Sequence, residues 1–255
     1  MTFADHPPLR AIVLAAGRGE RMRPLTDTCP KPLLPVHGRP LIEWTLRALA
    51  RDGVEEVVIN TAWLEDTFPA TLGDGHALGL RLRYSHEGRD HGGALETAGG
   101  IATVLDWLTE GGRPAFWVVA GDLWMPDFRC DAGLAQRLVA QGGLDAHLWL
   151  VPNPSFHPRG DFGFGAPLPA LGEGVALAAP IGAGTPGYTY ASVALMRPAL
   201  CAGITPGRRE ALGPHLHRGV AGGRVSVSMY QGRWENVGTP DQWAALQDAP
   251  EHPPP

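Results

Sequence analysis

Apolar residues are grouped along the chain in seven short runs, separated by segments that contain glycine, proline or aspartate. Most of these runs are almost continuously apolar, as expected for strands of a parallel sheet that is covered on both faces. The pattern predicts strands over residues 9–15, 54–60, 80–84, 115–120, 146–151, 188–196 and 225–230.

Helical patterns occur between several of these strands. Residues 40–51 carry apolar side chains at Leu41, Trp44 and Leu49, and Gly53 follows as a helix C-cap. Further helices are predicted over residues 97–108, 132–141 and 208–221, and a last one begins at Thr239 and Pro240. Strands and helices alternate over the first 150 residues, which predicts a three-layer α/β/α sandwich around a mixed, mostly parallel sheet.

The chain has 255 residues, the size of one large domain, and we expect a single domain over residues 1–249. Residues 153–187 interrupt the alternation, because they are rich in proline and glycine and show little periodicity. Two interpretations stay open for them: a disordered surface insertion, or a flap on the sugar side of a ligand crevice at the end of the preceding strand. Residues 250–255 are predicted to form a proline-rich tail.

The net charge of −5 at pH 7 argues against nucleic acids or anionic membranes as dedicated partners. The three cysteines include no CxxC pair, so neither a disulfide framework nor a zinc site is indicated. No apolar run has the length of a membrane span, and the first residues lack the layout of a signal peptide. The composition therefore predicts a cytoplasmic protein.

The first predicted strand leads into the segment LAAGRGERMRP, residues 14–24. A Walker A loop needs Gly-x4-Gly-Lys-Ser/Thr, and a dinucleotide fingerprint needs a third glycine where this chain has Met22. Neither rule is met, but the backbone N–H groups of such a turn can line a pyrophosphate. Residues 18–39 also carry five cations and two anions: Arg18, Arg21, Arg23, Lys31 and Arg39 against Glu20 and Asp27.

Lys31 is the only lysine among 21 basic residues, and the other 20 are arginine. It lies in the segment PKPLLP, seven residues after Pro24. One interpretation is an arginine-rich composition with one lysine left over. The interpretation that its position favours is an ammonium group that reaches phosphates as a point charge.

The pattern GxGxRxxP followed by Lys-Pro-Leu resembles the signature of the sugar-1-phosphate nucleotidylyltransferases. Four further segments follow in the order typical of that family: NTAWL (60–64), LETAGGI (95–101), GD (121–122) and WENVGT (234–239). The resemblance extends over nearly the whole chain. It implies a Rossmann-like fold and the transfer of a nucleotidyl group from a nucleoside triphosphate to a sugar 1-phosphate, with release of pyrophosphate.

The resemblance also implies roles for particular residues. Arg21 and Lys31 would be catalytic, because they would screen two phosphate-bearing substrates from each other. The nucleotide would contact a loop and a helix start, made of Leu14, Ala15, Ala16, Gly17, Arg18, Gly19, Glu96 and Thr97. For Glu96 and Thr97 the alternative is a helix start that contacts no ligand.

Asp122 ends an apolar strand, so its carboxylate is expected at the edge of the sheet where open α/β proteins bind ligands. The alternative is a turn cap, a common role for Gly-Asp. The resemblance implies that Asp122 binds Mg²⁺ together with Asn236, where many relatives have aspartate. An amide oxygen can coordinate Mg²⁺, but one negative charge is lost, so we expect Asn236 to be a weak ligand.

Asn153, Arg159 and Asp161 are the candidates for binding the sugar. With the stretch that surrounds them, they most resemble family members that transfer uridylyl from UTP to N-acetylmuramate 1-phosphate in cell-wall recycling. Arg159 would pair with the lactyl carboxylate, or it would simply lie in an exposed turn. Two rival hypotheses stay open: guanylyl or thymidylyl transfer to mannose or glucose 1-phosphate, and a non-catalytic protein that binds a sugar nucleotide.

Overall fold

The computed structural model describes residues 7–182 and 184–248, so the predicted tail and residue 249 lie outside the described residues. The strands are β1 (Ala11–Leu14), β2 (Pro35–Val36), β3 (Arg39–Pro40), β4 (Glu56–Thr61), β5 (Arg81–His86), β6 (Phe116–Ala120), β7 (Leu123–Trp124), β8 (Ala146–Val151), β9 (Gly163–Pro167), β10 (Ala176–Ala179), β11 (Thr189–Met196), β12 (Val225–Met229) and β13 (Glu235–Asn236). The helices are α1 (Leu41–Arg51), α2 (Thr67–Leu72), α3 (Glu87–His91), α4 (Glu96–Thr103), α5 (Leu105–Thr109), α6 (Ala132–Gln141), α7 (Gly213–Ala221) and α8 (Pro240–Asp248).

Nine strands form one sheet in the order β5-β4-β1-β6-β11-β8-β12-β10-β9. All of these strands run in one direction except β10 and β11, which are antiparallel to both of their neighbours. The sheet is therefore mixed and mostly parallel in strand direction, as the sequence pattern predicts. The carboxyl ends of β1, β4 and β6 meet at one edge, where open α/β sheets bind ligands.

Helices cover both faces of this sheet, which gives the predicted three layers. On one face, Val13 of β1 belongs to an apolar cluster with Ile42 and Leu46 of α1, to which α2 and α6 also contribute. Successive strand residues point to opposite faces, so Ile12 belongs instead to a second cluster with Ile101 of α4. Helices α5 and α7 complete that second layer.

A third apolar cluster lies outside the two main layers. It joins Met22 of the glycine-loop segment, Trp44 of α1, Trp124 of β7, and Val237 and Leu246, which lie before and in α8. These side chains are less than 10% exposed, so the cluster holds the segment after the glycine loop against the end of the chain. Residues from two distant parts of the sequence are thereby brought to the same edge of the sheet.

All seven predicted strands are present, and their ends agree with the prediction to within two residues. The helix predicted over residues 97–108 is divided at Val104 into α4 and α5, and the helix predicted from residue 208 begins only at Gly213. The sequence pattern did not predict α2 or α3, nor β9 and β10, which lie within residues 153–187 and extend the sheet. Among the described residues, no helix is both long and apolar enough to cross a bilayer.

Candidate active site

A cleft of about 660 Å³ opens at the carboxyl ends of β1, β4 and β6. The lining residues from the first half of the chain, here called the first wall, are Leu14, Ala16, Gly17, Asn60, Ala94, Glu96, Thr97, Ala120 and Asp122. Those from the second half, here called the second wall, are Asp161, Phe162, Tyr190, Ser192, Arg209, Ala211, Leu212, Gly213, Leu216, His217 and Asn236. Eight of the residues predicted for the site therefore line one cleft, and the remaining seven lie outside its lining.

The glycine loop after β1 folds back on itself. Gly19 has φ +66°, a backbone conformation that favours glycine, and a β-carbon there would lie 3.1 Å from Thr26 Cγ2 and 3.2 Å from Lys31 Cβ. The Thr26 hydroxyl donates a hydrogen bond of 2.8 Å to the Gly19 carbonyl. Gly17 has open space around it and lines the cleft, so this part of the loop leaves room for a ligand to approach the backbone.

Arg18 is engaged within this loop. Its guanidinium lies 3.6 Å from the centre of the Trp63 ring, and it donates hydrogen bonds to the Thr26 carbonyl (2.7 Å) and to Asp27 (3.0 Å). These contacts show that Arg18 stabilises the conformation of the loop. Its direct contact with the nucleotide stays a prediction. Arg21 is exposed and lies beside the turn after Asn236, since a β-carbon at Gly238 would be 3.5 Å from both terminal nitrogens of its guanidinium.

Lys31 forms an ion pair with Asp122, to which its ammonium group donates a hydrogen bond. Both side chains are largely shielded, with 13% of Lys31 and 21% of Asp122 exposed. The single lysine of the chain is therefore held at the carboxylate that follows β6. Lys31 does not line the cleft itself, but its ammonium group contacts Asp122, which does.

Asp122 and Asn236 are brought together by a short ladder. Strands β7 and β13 pair antiparallel with Asn236 opposite Leu123, and the Val237 N–H donates a hydrogen bond of 3.1 Å to the Asp122 carbonyl. Both residues line the cleft, whereas Glu235 does not. The predicted pair is thus assembled from residues more than 100 positions apart in sequence.

The chemistry of this pair fits Mg²⁺ rather than a metal held entirely by protein. One carboxylate and one amide are oxygen ligands of the kind that Mg²⁺ accepts, and Mg²⁺ usually takes its remaining ligands from water and substrate phosphates. Within residues 7–182 and 184–248, no group of three or more histidine, cysteine, aspartate or glutamate side chains could hold a metal ion. A complete protein cage for a metal is therefore absent from the described part of the chain.

Helix α4 begins at the edge of the cleft. Glu96 has φ +61°, unusual for a residue with a side chain, and its carboxylate forms an ion pair of 2.8 Å with Arg209. The N–H groups of Ala98 and Gly99 donate to the Glu210 carbonyl at 3.0 and 3.1 Å. These two groups are therefore already paired within the protein. Thr97 and the backbone before Ala98 remain for contact with a ligand, and their predicted contact with the nucleotide stays a prediction.

The predicted sugar residues take different positions. Asn153 lies outside the cleft lining; its amide donates to the Gly187 carbonyl (2.8 Å) and accepts from the Thr189 hydroxyl (2.9 Å). Asp161 lines the cleft and accepts a hydrogen bond of 2.8 Å from the Tyr190 N–H. Arg159 is exposed and does not line the cleft. Its proposed contact with a carboxylate is therefore not formed by the cleft as it stands.

Several residues of the second wall were not predicted from the sequence. Arg209, Leu212 and His217 belong to the loop before α7 and to α7 itself, and the His217 ring packs 5.1 Å from that of Phe162. Ser192, at a position that the resemblance places near the sugar, also lines the cleft; it has φ +59° at an irregularity in the pairing of β11 with β8. No sequence pattern indicates the irregularity in β11. The two adjacent basic residues Arg208 and Arg209 are a signal from which the loop before α7 could have been predicted as part of the site.

The comparisons with known proteins agree with this architecture. A solved structure of a candidate glucose-1-phosphate thymidylyltransferase from Bacillus anthracis, in complex with a sucrose, superposes with a TM-score of 0.74 over 94% of both chains at 17% identity. At that identity the likeness concerns the fold alone, which is the Rossmann-like fold of nucleotidyltransferases. The family model for nucleotidyl transferases matches residues 10–143 of this chain.

Two relatives match over almost their full lengths. The N-acetylmuramate alpha-1-phosphate uridylyltransferase of Neisseria meningitidis is 44% identical over 91% of this chain and 94% of its own length. A protein of the same name from Caulobacter vibrioides is 34% identical over 94% of this chain and 96% of its own length. The chain belongs to the nucleotidyl transferase family, as a nucleotidyltransferase enzyme that acts on sugar 1-phosphates.

Proposed function

We propose that the protein transfers UMP from UTP to N-acetylmuramate 1-phosphate, releases pyrophosphate and depends on Mg²⁺. The observation that carries the reaction is the meeting of Lys31, Asp122 and Asn236 between the two walls of the cleft. The choice of base and sugar rests on the names of the two full-length relatives. A recycling role for the product in the cytoplasm is part of the same proposal.

The chemistry needs no general base from the protein. The phosphate of the sugar carries a charge of about −1.5 to −2 at neutral pH and can attack the α-phosphorus of the triphosphate directly. The protein must position the two anions and offset their repulsion. Lys31 and Arg21 supply positive charge from the loop after β1, and the backbone of Ala16 and Gly17 leaves room for phosphates.

Bound Mg²⁺ would neutralise charge on the triphosphate, with Asp122 and Asn236 as its protein ligands. The Lys31 ammonium lies at the same carboxylate, so it is close to wherever such phosphates would be held. Release of pyrophosphate completes the exchange: the new bond joins the sugar phosphate to the α-phosphorus, and the bond to the β-phosphate oxygen breaks.

An assay of pyrophosphate release tests this proposal. Each of four nucleoside triphosphates is combined in turn with each of four sugar 1-phosphates. The acceptors are the 1-phosphates of N-acetylmuramate, N-acetylglucosamine, mannose and glucose, and Lys31→Gln is the inactive control. We expect the highest rate with UTP and N-acetylmuramate 1-phosphate, and a loss of orders of magnitude in the control. A preference for GTP or dTTP with a neutral hexose phosphate would contradict it, and no release in any mixture would favour a sensor.

A further inference from the structure

Glu87, the first residue of α3, is a carboxylate with no exposed surface. It lies outside the cleft lining, and the proposed chemistry does not use it. One of its oxygens accepts a hydrogen bond of 2.7 Å from the Asn60 amide nitrogen, and the other accepts one of 2.7 Å from the Leu95 N–H. Burial raises the pKa of this carboxyl, although the two N–H donors oppose the shift.

The chain of hydrogen bonds continues from Asn60 to the glycine loop. Asn60 is 2% exposed, and its amide oxygen accepts a hydrogen bond of 2.8 Å from the Ala15 N–H. Because a backbone N–H can only donate, this contact fixes the amide nitrogen of Asn60 toward Glu87. Ala15, directly after β1, and Leu95, directly before α4, are therefore connected through the side chains of Asn60 and Glu87.

Gly100 of α4 provides the space that this arrangement needs. A β-carbon at Gly100 would lie 2.5 Å from a Glu87 carboxylate oxygen and 2.8 Å from the Asn60 amide nitrogen. The helix that carries Glu96 and Thr97 thus packs directly on the buried pair. A buried carboxyl is costly unless its partners are well placed, so its position between two ligand-lining segments calls for a function.

We propose that Glu87 is a positioning residue, which fixes the distance between the glycine loop and the start of α4 and so shapes the nucleotide side of the cleft. The inference rests on the proposed function only in that this side of the cleft binds the nucleoside triphosphate. The triphosphate and the base would contact the two segments joined through Glu87. Loss of the hydrogen bonds to Glu87 should therefore weaken nucleotide binding more than sugar phosphate binding.

The donors and acceptors permit a test by exchange. In Glu87→Gln, either the Asn60 amide nitrogen or the Leu95 N–H faces an amide NH₂ instead of an acceptor oxygen. In Asn60→Asp, a carboxyl oxygen at position 60 faces a carboxyl oxygen of Glu87. The double variant N60D/E87Q restores every pair, because the carboxylate at position 60 would accept from Ala15 and from the amide at position 87, whose oxygen would accept from Leu95. Glu110→Gln is the matched control, because this carboxylate pairs with Arg10 and is 65% exposed.

The experiment measures the Kd of UTP with Mg²⁺ by calorimetry, the KM of the sugar phosphate and the melting temperature of each full-length variant. We expect each single variant to bind UTP at least about tenfold more weakly, with the KM of the sugar phosphate changed less than about twofold. The double variant should return to within about threefold of the original affinity for UTP, and E110Q should not differ from the original protein.

Unchanged UTP affinity in both single variants would overturn the inference. A double variant that binds UTP no more tightly than the single variants would also overturn it. So would equal losses of affinity for UTP and for the sugar phosphate that run parallel to a fall in melting temperature. If E87Q does not fold, Glu87→Asp replaces it, since it keeps the charge but withdraws the carboxylate from its two donors. If the unaltered protein binds another triphosphate more tightly than UTP, the choice of base is wrong, and the same comparison is made with that triphosphate.

Discussion

Lys31 is the residue that composition and position together single out most clearly, and its catalytic role stays a prediction. Its ion pair with Asp122 connects two segments that the sequence analysis treated separately, the loop after β1 and the turn after β6. The pairing itself could not be predicted, because it depends on β1 and β6 being neighbours in the sheet. Proximity of strands is a property of the topology, which apolar patterns do not encode.

Asn236→Asp tests the metal pair directly. The substitution adds a second negative charge close to Asp122, so Mg²⁺ should bind more tightly. We expect the Mg²⁺ concentration for half-maximal rate to fall several-fold. Initial rates across a Mg²⁺ titration measure this value. Glu235→Gln, at a position outside the cleft lining, is the control and should leave it unchanged. An unchanged or higher value for N236D would remove Asn236 from the metal site.

Arg159→Gln tests how an acidic sugar is recognised. If Arg159 pairs with the lactyl carboxylate, KM should rise about tenfold for N-acetylmuramate 1-phosphate and stay the same for N-acetylglucosamine 1-phosphate. The companion variant His217→Gln alters a ring that lines the cleft beside Phe162. A change in the ratio of the two KM values in H217Q alone would assign the carboxylate to α7 and contradict the role of Arg159.

At the scale of elements, the buried strands could be predicted because covering a sheet on both faces requires nearly continuous apolar runs. Strands β9 and β10 lie toward the sheet edge in a stretch rich in glycine and proline, and helix α3 has one buried residue, Glu87. None of these three elements has the periodic apolar pattern from which a strand or a helix is predicted. The sequence therefore located the first wall of the cleft better than the second, where the irregular β11 and the loop before α7 contribute.

Helix α4 can approach its neighbours only because it carries glycines. A β-carbon at Gly99 would lie 2.1 Å from the Arg208 carbonyl oxygen, a backbone atom that cannot move without its loop. We expect Gly99→Ala to lower the free energy of unfolding by about 1–3 kcal/mol through overpacking, despite the better helix propensity of alanine. Urea denaturation measures the change.

The matched control for G99A is Gly133→Ala in α6. There the nearest atoms, at 3.0 and 3.1 Å, are the ends of the Arg137 and Asp131 side chains, which can move aside. This variant should be neutral or more stable by up to about 1 kcal/mol. Equal effects of the two substitutions would show that the approach of α4 to the Arg208 loop does not limit the packing.

The whole molecule should lose stability in mild acid because of His147. This side chain in β8 has no exposed surface, and its ring nitrogens lie 2.9 and 3.0 Å from the Ser226 and Ser228 hydroxyls. Burial lowers its pKa to about 3, whereas the unfolded chain binds a proton near pH 6.5. The unfolded state therefore binds more protons between these values, and this contribution to stability is lost as the pH falls through that range.

His147→Gln should flatten this dependence. We expect the difference in unfolding free energy between pH 7 and pH 5 to shrink by about 2 kcal/mol, as one such group would contribute. Chemical denaturation at both pH values measures it, with the exposed His76→Gln as control. A variant with the same pH dependence as the original protein would contradict a buried neutral His147.

The division of the cleft between two halves of the chain has an evolutionary consequence. The family model ends at residue 143, and every lining residue of the first wall comes before that point, while every lining residue of the second comes after it. Under the proposed function, most candidate nucleotide contacts lie in the earlier stretch and the candidate sugar contacts in the later one, whereas the β7–β13 ladder and the Glu96–Arg209 ion pair join the two. The proposed function therefore implies that a lineage acquires a new sugar mainly by substitutions in the later stretch.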